Sequence, residues 1–292
     1  MNPLQTLIKL TEVLPLFGLA LLALYGNKLL HAKNSFFNLK EELTEKNNSA
    51  VGLVLVCYLI GVAIALIGAF PSKSEGLMLN SFNMCLNAVL ITVLMKASFL
   101  LNKRVTLFWF KEPQEIETEL KEQQSLGTAY VVGASSLATG IMLAGVLSGE
   151  SDSIWHAIRD TVVFWALGQG LLCCGSHLFA KFVHYDIKGA IEKDNNAASG
   201  ISFGGFLVAL GIVAYAGLQG ATSNLLSEFG TILTLSVVGL TILLTTGIVS
   251  SHILMPHANM AKEIAVKKNV AAGLISAGAF ITSAILLMAA VR

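Results

Sequence analysis

Eight long apolar runs alternate with shorter polar stretches along this chain. They extend approximately from Val13 to Leu30, Ala50 to Phe70, Leu77 to Leu101 and Leu126 to Leu147. The second half supplies Thr161 to Phe182, Gly200 to Leu218, Gly230 to Leu254 and Val270 to Val291. About 20 apolar residues carry an α-helix across the hydrocarbon core of a bilayer, and each run is close to that length. None shows the in–out alternation of a barrel strand. Lipid offers backbone amides no partner, so such runs cross it as helices. The expected fold class is all-α: a polytopic membrane protein of about eight transmembrane helices.

The polar stretches repeat. Glu45 to Gly52 reads EKNNSAVG and Lys193 to Gly200 reads KDNNAASG, 148 residues further on. A fourth unit reads EIAVKKNVAAG from Glu263 to Gly273. Aligning Gly52, Gly127, Gly200 and Gly273 puts Asn48, Gln123, Asn196 and Asn269 in one column. Glu42, Glu117 and Glu263 share another, with Ala190 as the exception. An Asn or Gln at this place can satisfy amides left open at a helix start. The small residues that follow let backbones approach closely. A structural role for this motif is the expectation; direct ligand contact is the sharper alternative.

One helical pair thus appears four times, each pair containing two spans, so the units keep one orientation. Residues 1–150 and 151–292 read as two four-helix halves about a pseudo-two-fold axis along the membrane normal.

Charge sets the orientation and narrows the function classes. Only 13% of the 292 residues are charged, against 54% hydrophobic, and the net charge is +1. A soluble domain carries about twice that charged fraction. Thirteen of the nineteen lysines and arginines fall in the stretches after odd-numbered runs. The positive-inside rule places those stretches in the cytoplasm and both termini outside. The first run continues into Asn27, Lys28 and His31 instead of a small-residue cleavage site, so it reads as a retained span. No basic block points to nucleic acid.

The run from Asn48 through Gly68, with Asn196 to Gly217 and Asn269 to Ile285, resembles the helix-start motif of the YjfL-like family of bacterial inner-membrane proteins. That family is a domain of unknown function with four helices per domain. The resemblance implies two tandem copies over nearly the whole chain and a bacterial inner-membrane location. Gln123-Gln-Ser-Leu-Gly127 departs most from the motif. The family brings no catalytic residues or cofactor.

Candidate chemistry is sparse. Lys96 sits inside the third run, and the repeat register brings Gln169 to its depth. Asn80, Asn83 and Asn87 line one face of the same run. If Asn87, Lys96 and Gln169 face one another, they form a polar intramembrane route; snorkelling of Lys96 to the interface is the plainer reading. His31 and His252 share a repeat column, as do His184 and His257, all near the cytoplasmic boundary. Proton relay there competes with simple interfacial placement.

Gly200-Ile-Ser-Phe-Gly204 matches a nucleophile elbow by letters alone, inside a span where no strand precedes it. Cys57, Cys85, Cys173 and Cys174 lack metal-ligand spacing. The outer loop Ser148 to Asp160 reads as solvated caps. Lys111 to Glu122 carries five glutamates against two lysines and suits either a helix extension or a partner site.

The chain is therefore expected to be no enzyme and to need no cofactor. Its best functional reading is transporter- or channel-like, with a polar intramembrane route. The alternative is a non-catalytic membrane scaffold that recruits cytoplasmic partners in an envelope-associated complex. Its partners are membrane lipids and either further copies of itself or a membrane or cytoplasmic protein.

Overall fold

The computed structural model describes residues 3–33, 38–71, 76–102, 113–149, 153–219 and 225–291. All regular structure among them is helical: α1 (Pro3–Lys33), α2 (Ser49–Gly68), α3 (Leu77–Leu101), α4 (Pro113–Lys121), α5 (Leu126–Leu147), α6 (Ile154–Phe182), α7 (Ile187–Glu192), α8 (Ala197–Leu218), α9 (Leu225–Ile253), α10 (Met260–Ala265) and α11 (Val270–Val291). A π-helical turn at Glu41–Glu45 precedes α2. Eight of these helices are long and apolar enough to cross a membrane, and they overlie the eight apolar runs. The helices outrun the apolar stretches most at two N-terminal ends: α1 starts ten residues before Val13, and α6 starts seven residues before Thr161. Ser153 caps it there, its side chain accepting from His156 N at 3.3 Å, so the helix continues beyond the apolar run.

The eight long helices form two rows. The inner row runs α2, α5, α8, α11, each packed against the next. The outer row runs α1, α3, α6, α9. Each outer helix after α1 packs on its own inner helix, on the preceding inner helix and on the preceding outer one. Thus α3 contacts α1, α2 and α5, α6 contacts α3, α5 and α8, and α9 contacts α6, α8 and α11.

Small residues hold the inner row together, and they do so by the same contacts each time. One level pairs Gly127 with Gly200, then Ala198 with Gly273. The next pairs Cys57 with Gly133, Ala134 with Gly204, and Gly205 with Ala277. A third pairs Gly61 with Gly140, and Ala138 with Gly211. At Gly140 a β-carbon would collide with the Gly61 backbone, so glycine is required by proximity. Lipid supplies no hydrophobic drive between helices, so close van der Waals packing of this kind carries their association.

Short helices connect the rows at the lysine-rich end. Each of the four units stops its short helix on a left-handed residue: Asn47, Gln124, Asn195 and Lys268, at φ 50°, 48°, 45° and 51°. The next residue then donates its backbone N–H six residues back: Asn48 to Glu42, Ser125 to Glu119, Asn196 to Ala190 and Asn269 to Glu263. This is a Schellman-type stop followed at once by a helix N-cap. Its fourfold recurrence fixes the repeat register, and it corrects the second unit. The residue in the Asn column there is Ser125, not Gln123, and the carboxylate is Glu119, not Glu117. Gly127 therefore lies two residues past the Asn48–Asn196–Asn269 caps, in the column of Ala50 and Ala198, while Ala129 takes the place of Gly52, Gly200 and Gly273. Gln123 is exposed.

Candidate functional site

Three groups of polar residues stand out: the repeated turns, a cluster within the span region, and a cavity at the lysine-rich end.

At the turns, Asn48, Ser125 and Asn196 are buried and Asn269 is half-buried. Asn48 Oδ1 accepts from Ala50 N and Val51 N, both at 3.1 Å. Its amide donates to Glu42 Oε2 at 3.0 Å and, across to the next unit, to Leu120 O at 2.8 Å. Asn196 repeats the cross-unit bond, donating to Ile264 O at 2.8 Å and accepting from Ser199 N. Ser125 lacks an amide and donates its hydroxyl to Asn195 Oδ1 at 2.9 Å instead. Thr128 Oγ1 donates to the buried Glu119 at 2.6 Å. Asn269 donates to Glu263 Oε2 at 3.1 Å.

Burial alone would raise the Glu42 carboxyl, but bonds from Lys46 and Asn48 outweigh it and hold the group below its ordinary range. In return Glu42 and Glu41 push the Lys46 ammonium up to about 12. Bonds from Lys267 and Asn269 likewise lower Glu263. These groups are thus committed to tying each turn to its helix and each unit to the next.

The polar cluster joins α3, α5 and α6. Gln169 is buried, and its amide donates to Ser98 Oγ at 3.2 Å and Thr139 Oγ1 at 3.1 Å. Trp165 Nε1 donates to the same Ser98 at 2.7 Å. Gln169 Oε1 accepts no hydrogen bond among the described residues. Lys96 lies on the opposite face of α3 from Ser98, since two helical residues are about 200° apart. It shares that face with Val89, Val93 and Leu100, all more than half exposed. Asn87 is half-buried and lies three turns from Ser98, about 16 Å along the helix. Asn80 is buried nearer the opposite end. Gln169 is thus joined to Ser98 and Thr139, at a level that Asn87 does not share and on a face of α3 opposite to that of Lys96.

Three of the four boundary histidines do come together. His184, His252 and His257 line one cavity of about 820 Å3 between the ends of α6 and α9, α10, and the starts of α8 and α11. Phe179, Phe182, Tyr185 and Phe280 supply its aromatic wall. Ser202 and Ser276, hydrogen-bonded at 2.8 Å, lie at its inner surface. His252 Nδ1 sits 2.9 Å from Ile248 O and 3.1 Å from Ser251 Oγ, which anchors the ring at the cavity wall.

His31 takes a different environment. Its ring stacks on Tyr58 with centroids 4.5 Å apart, and Phe99 packs at 5.1 Å. The third unit repeats that stack as Phe179 on Phe206, again at 4.5 Å. In the fourth unit Ala279 occupies the Tyr58 and Phe206 column, and His252 is exposed toward the cavity. The His31–His252 column of the sequence therefore splits into one stacked and one open site. The serine pair and aromatic wall carried no sequence signal, because each helix contributes only one or two of those residues.

Elsewhere, Asp160 is buried beside Arg159, whose Nε donates to it at 2.7 Å. Glu150 and Asp152 of the same loop lie outside the described residues, as do Lys103, Arg104, Lys111 and Glu112. No group of three or more His, Cys, Asp or Glu among the described residues is placed to hold a metal ion.

Two rows of lipid-length helices, stitched by four copies of one turn, define a polytopic helical membrane protein built from repeated helix pairs. The chain belongs to the family described as Domain of Unknown Function (DUF350), which matches it twice in tandem, over residues 4–147 and 153–291. No curated protein and no solved structure matches it.

Proposed function

We propose that this protein is a transporter-like binding protein of the bacterial inner membrane, whose site is the histidine-lined cavity and whose cargo is a small amphipathic molecule. The single observation that carries this reading is the cavity itself. At about 820 Å3 it falls in the size range of small-molecule sites. Its wall is mainly aromatic and aliphatic, while His184, His252, His257 and Asn259 gather polar atoms at its lysine-rich end. An apolar tail fits the wall and a polar head fits the histidines. With the lysine-rich loops in the cytoplasm, the cavity opens at the cytoplasmic boundary. The Gln169 cluster supports transit less well, because both amide hydrogens of Gln169 are already committed. The role is binding rather than catalysis.

The test is saturable binding of a fluorescent fatty-acid probe, dansylundecanoate, to the protein in lipid nanodiscs. Ser276→Trp, which fills the cavity, is expected to weaken it about tenfold or more, or about 1.4 kcal/mol. His252→Ala with His257→Ala, which strips polar atoms from the cavity's lysine-rich end, is expected to weaken it as well. Probe binding that never saturates, or that ignores Ser276→Trp, defeats the proposal.

A second reading, the membrane scaffold, draws support from α4. Ile116 and Leu120 anchor it on the core while Thr118, Lys121 and Glu122 face outward. Charge reversal of Lys121 and Glu122 that left every cytoplasmic pulldown unchanged would count against it.

A further inference from the structure

The inner row ends on an unused copy of its own interface. Every inner helix before α11 presents a forward ridge of small residues to the rear face of the next. In α11 the same four columns hold Ala271, Gly278, Thr282 and Ala289, and all four are exposed. Gly278 stands in the column of Cys57 and Gly205, each at close contact with the following helix; a β-carbon at Gly278 would meet nothing within 4 Å.

The rear face that such a ridge receives is largely open at the other end of the row, with Gly52 and Ala63 half-buried. In α2 its columns hold Gly52, Val56, Ala63 and Ile67, with Val56 and Ile67 52% and 67% exposed. The residue sizes are complementary. At the level where Cys57 meets Gly133, Ala134 meets Gly204 and Gly205 meets Ala277, one partner is always glycine. Gly278 against Val56 keeps that rule.

Two further features call for the same occupant. Asn48 and Asn196 each donate an amide hydrogen to a carbonyl of the next unit, Leu120 O and Ile264 O. By the same column the equivalent acceptor for Asn269 would be Leu43 O, which a second copy of the chain can supply. In addition, α9 and α11 leave a groove of about 780 Å3 between them, with Thr245, Thr246, Ser250, Thr282 and Ser283 along it. By the rule of the outer row, the next outer helix seats beside α9 and over α11, and in a second copy that helix is α1.

We propose that a second copy of this chain docks its α1/α2 edge on the α9/α11 edge of the first, continuing the two rows as a head-to-tail oligomer. Such a heterologous contact closes to a ring or extends, according to the rotation per unit. The inference is independent of what the cavity binds.

The test uses Gly278→Cys and Val56→Cys, each in a chain whose Cys57, Cys85, Cys173 and Cys174 are replaced by alanine, carrying different tags and co-expressed in membranes. A disulfide that forms between the two variants, and with neither alone, is the expected result. A Gly278→Cys chain that cross-links to itself overturns the proposal in favour of an α11–α11 two-fold contact, and no cross-link in any pairing overturns it outright. Because the cysteine-free background could itself misassemble, a second measurement uses the otherwise native chain. Native mass spectrometry from nanodiscs should show oligomers for the native protein and monomers for Gly278→Phe, at unchanged helical content. A native chain that is monomeric, or a Gly278→Phe chain that stays oligomeric, overturns the proposal.

Discussion

Helices α8 and α11 have the same length and comparable apolar character, yet nineteen of the 22 residues of α8 are buried against six of α11. Both start after a buried or half-buried Asn cap, and both carry a glycine four residues on. Their difference is position. α8 has an inner-row neighbour on both sides and outer helices above it, whereas α11 has one inner neighbour and α9. In lipid, apolarity is needed on every face and so says little about which face meets protein. Small residues say more, but only if the partner is known.

The comparison breaks most sharply at two glycines. Gly211 in α8 faces the Ala138 backbone, where an added β-carbon comes within 2.6 Å of its Cα. Gly278 in α11 faces open space. Gly211→Leu is expected to cost at least the ~1–3 kcal/mol of ordinary overpacking, since backbone rather than a side chain must yield, and to leave little monodisperse protein. Gly278→Leu is expected to move the stability of the isolated protomer by less than about 0.5 kcal/mol. Thermal unfolding followed by size-exclusion chromatography in detergent checks both; equal losses would mean the two faces are not distinguished by packing.

The caps give a smaller effect in the same direction. Asn196 is buried and holds Ser199 N and Ile264 O, while Asn269 is half-buried and bonds only within its own turn among the described residues. Loss of a cap costs ~1 kcal/mol, and stranding buried partners adds ~1–3 kcal/mol. Asn196→Ala is therefore expected to destabilise by about 2–3 kcal/mol and Asn269→Ala by about 1 kcal/mol, read as unfolding midpoints in one detergent. The reverse order would remove the cross-unit bond as the reason for the cap.

Acid should act on the first and fourth turns and spare the third. Glu42 and Glu263 are held below their ordinary range by Lys46 with Asn48 and by Lys267 with Asn269. A depressed folded-state value means the contribution is present above the unfolded value, about 4.3, and is lost as pH falls through the folded one. The third turn carries Ala190 at that place and has no such carboxylate to protonate; its Lys188–Glu192 pair, at 3.8 Å, is a looser contact. Glu42→Gln should thus make the protein less stable at pH 7 but nearly remove its own share of the acid dependence below about pH 4.3. Melting temperatures of wild type and variant between pH 7 and pH 3 test this; parallel curves would assign the acid sensitivity elsewhere.

The eight spans were legible because the cost of unpaired amides in lipid is written into every twenty-residue run. The repeat was legible too, and the capping role of Asn48, Asn196 and Asn269 followed from residue type. In the second unit a glycine anchor sets the wrong register, because Gly127 lies two residues off the column of Gly52, Gly200 and Gly273. The better marker was the spacing of carboxylate to cap: Glu42 to Asn48 and Glu263 to Asn269 are each six residues, and Glu119 to Ser125 is the same. The cavity could not be read at all. It depends on which faces of α6, α8, α9 and α11 meet, and residue type along one helix does not fix that.

The smallest expected effect concerns the two faces of α3. Ser98 looks inward to Gln169 and Trp165, and Lys96 looks outward with Val89, Val93 and Leu100. Hydrogen bonds between membrane helices contribute about 0.6 kcal/mol on average and at most about 1.7. Gln169→Leu is expected to cost that much, and Lys96→Gln less. The informative measurement is the double variant. With Lys96 on the face of α3 opposite the Ser98 that Gln169 holds, the two changes should add to within about 0.3–0.5 kcal/mol. A coupling above about 1 kcal/mol would instead mean that the lysine and the glutamine act on a common element, and the continuous polar route through the membrane would return as the better account.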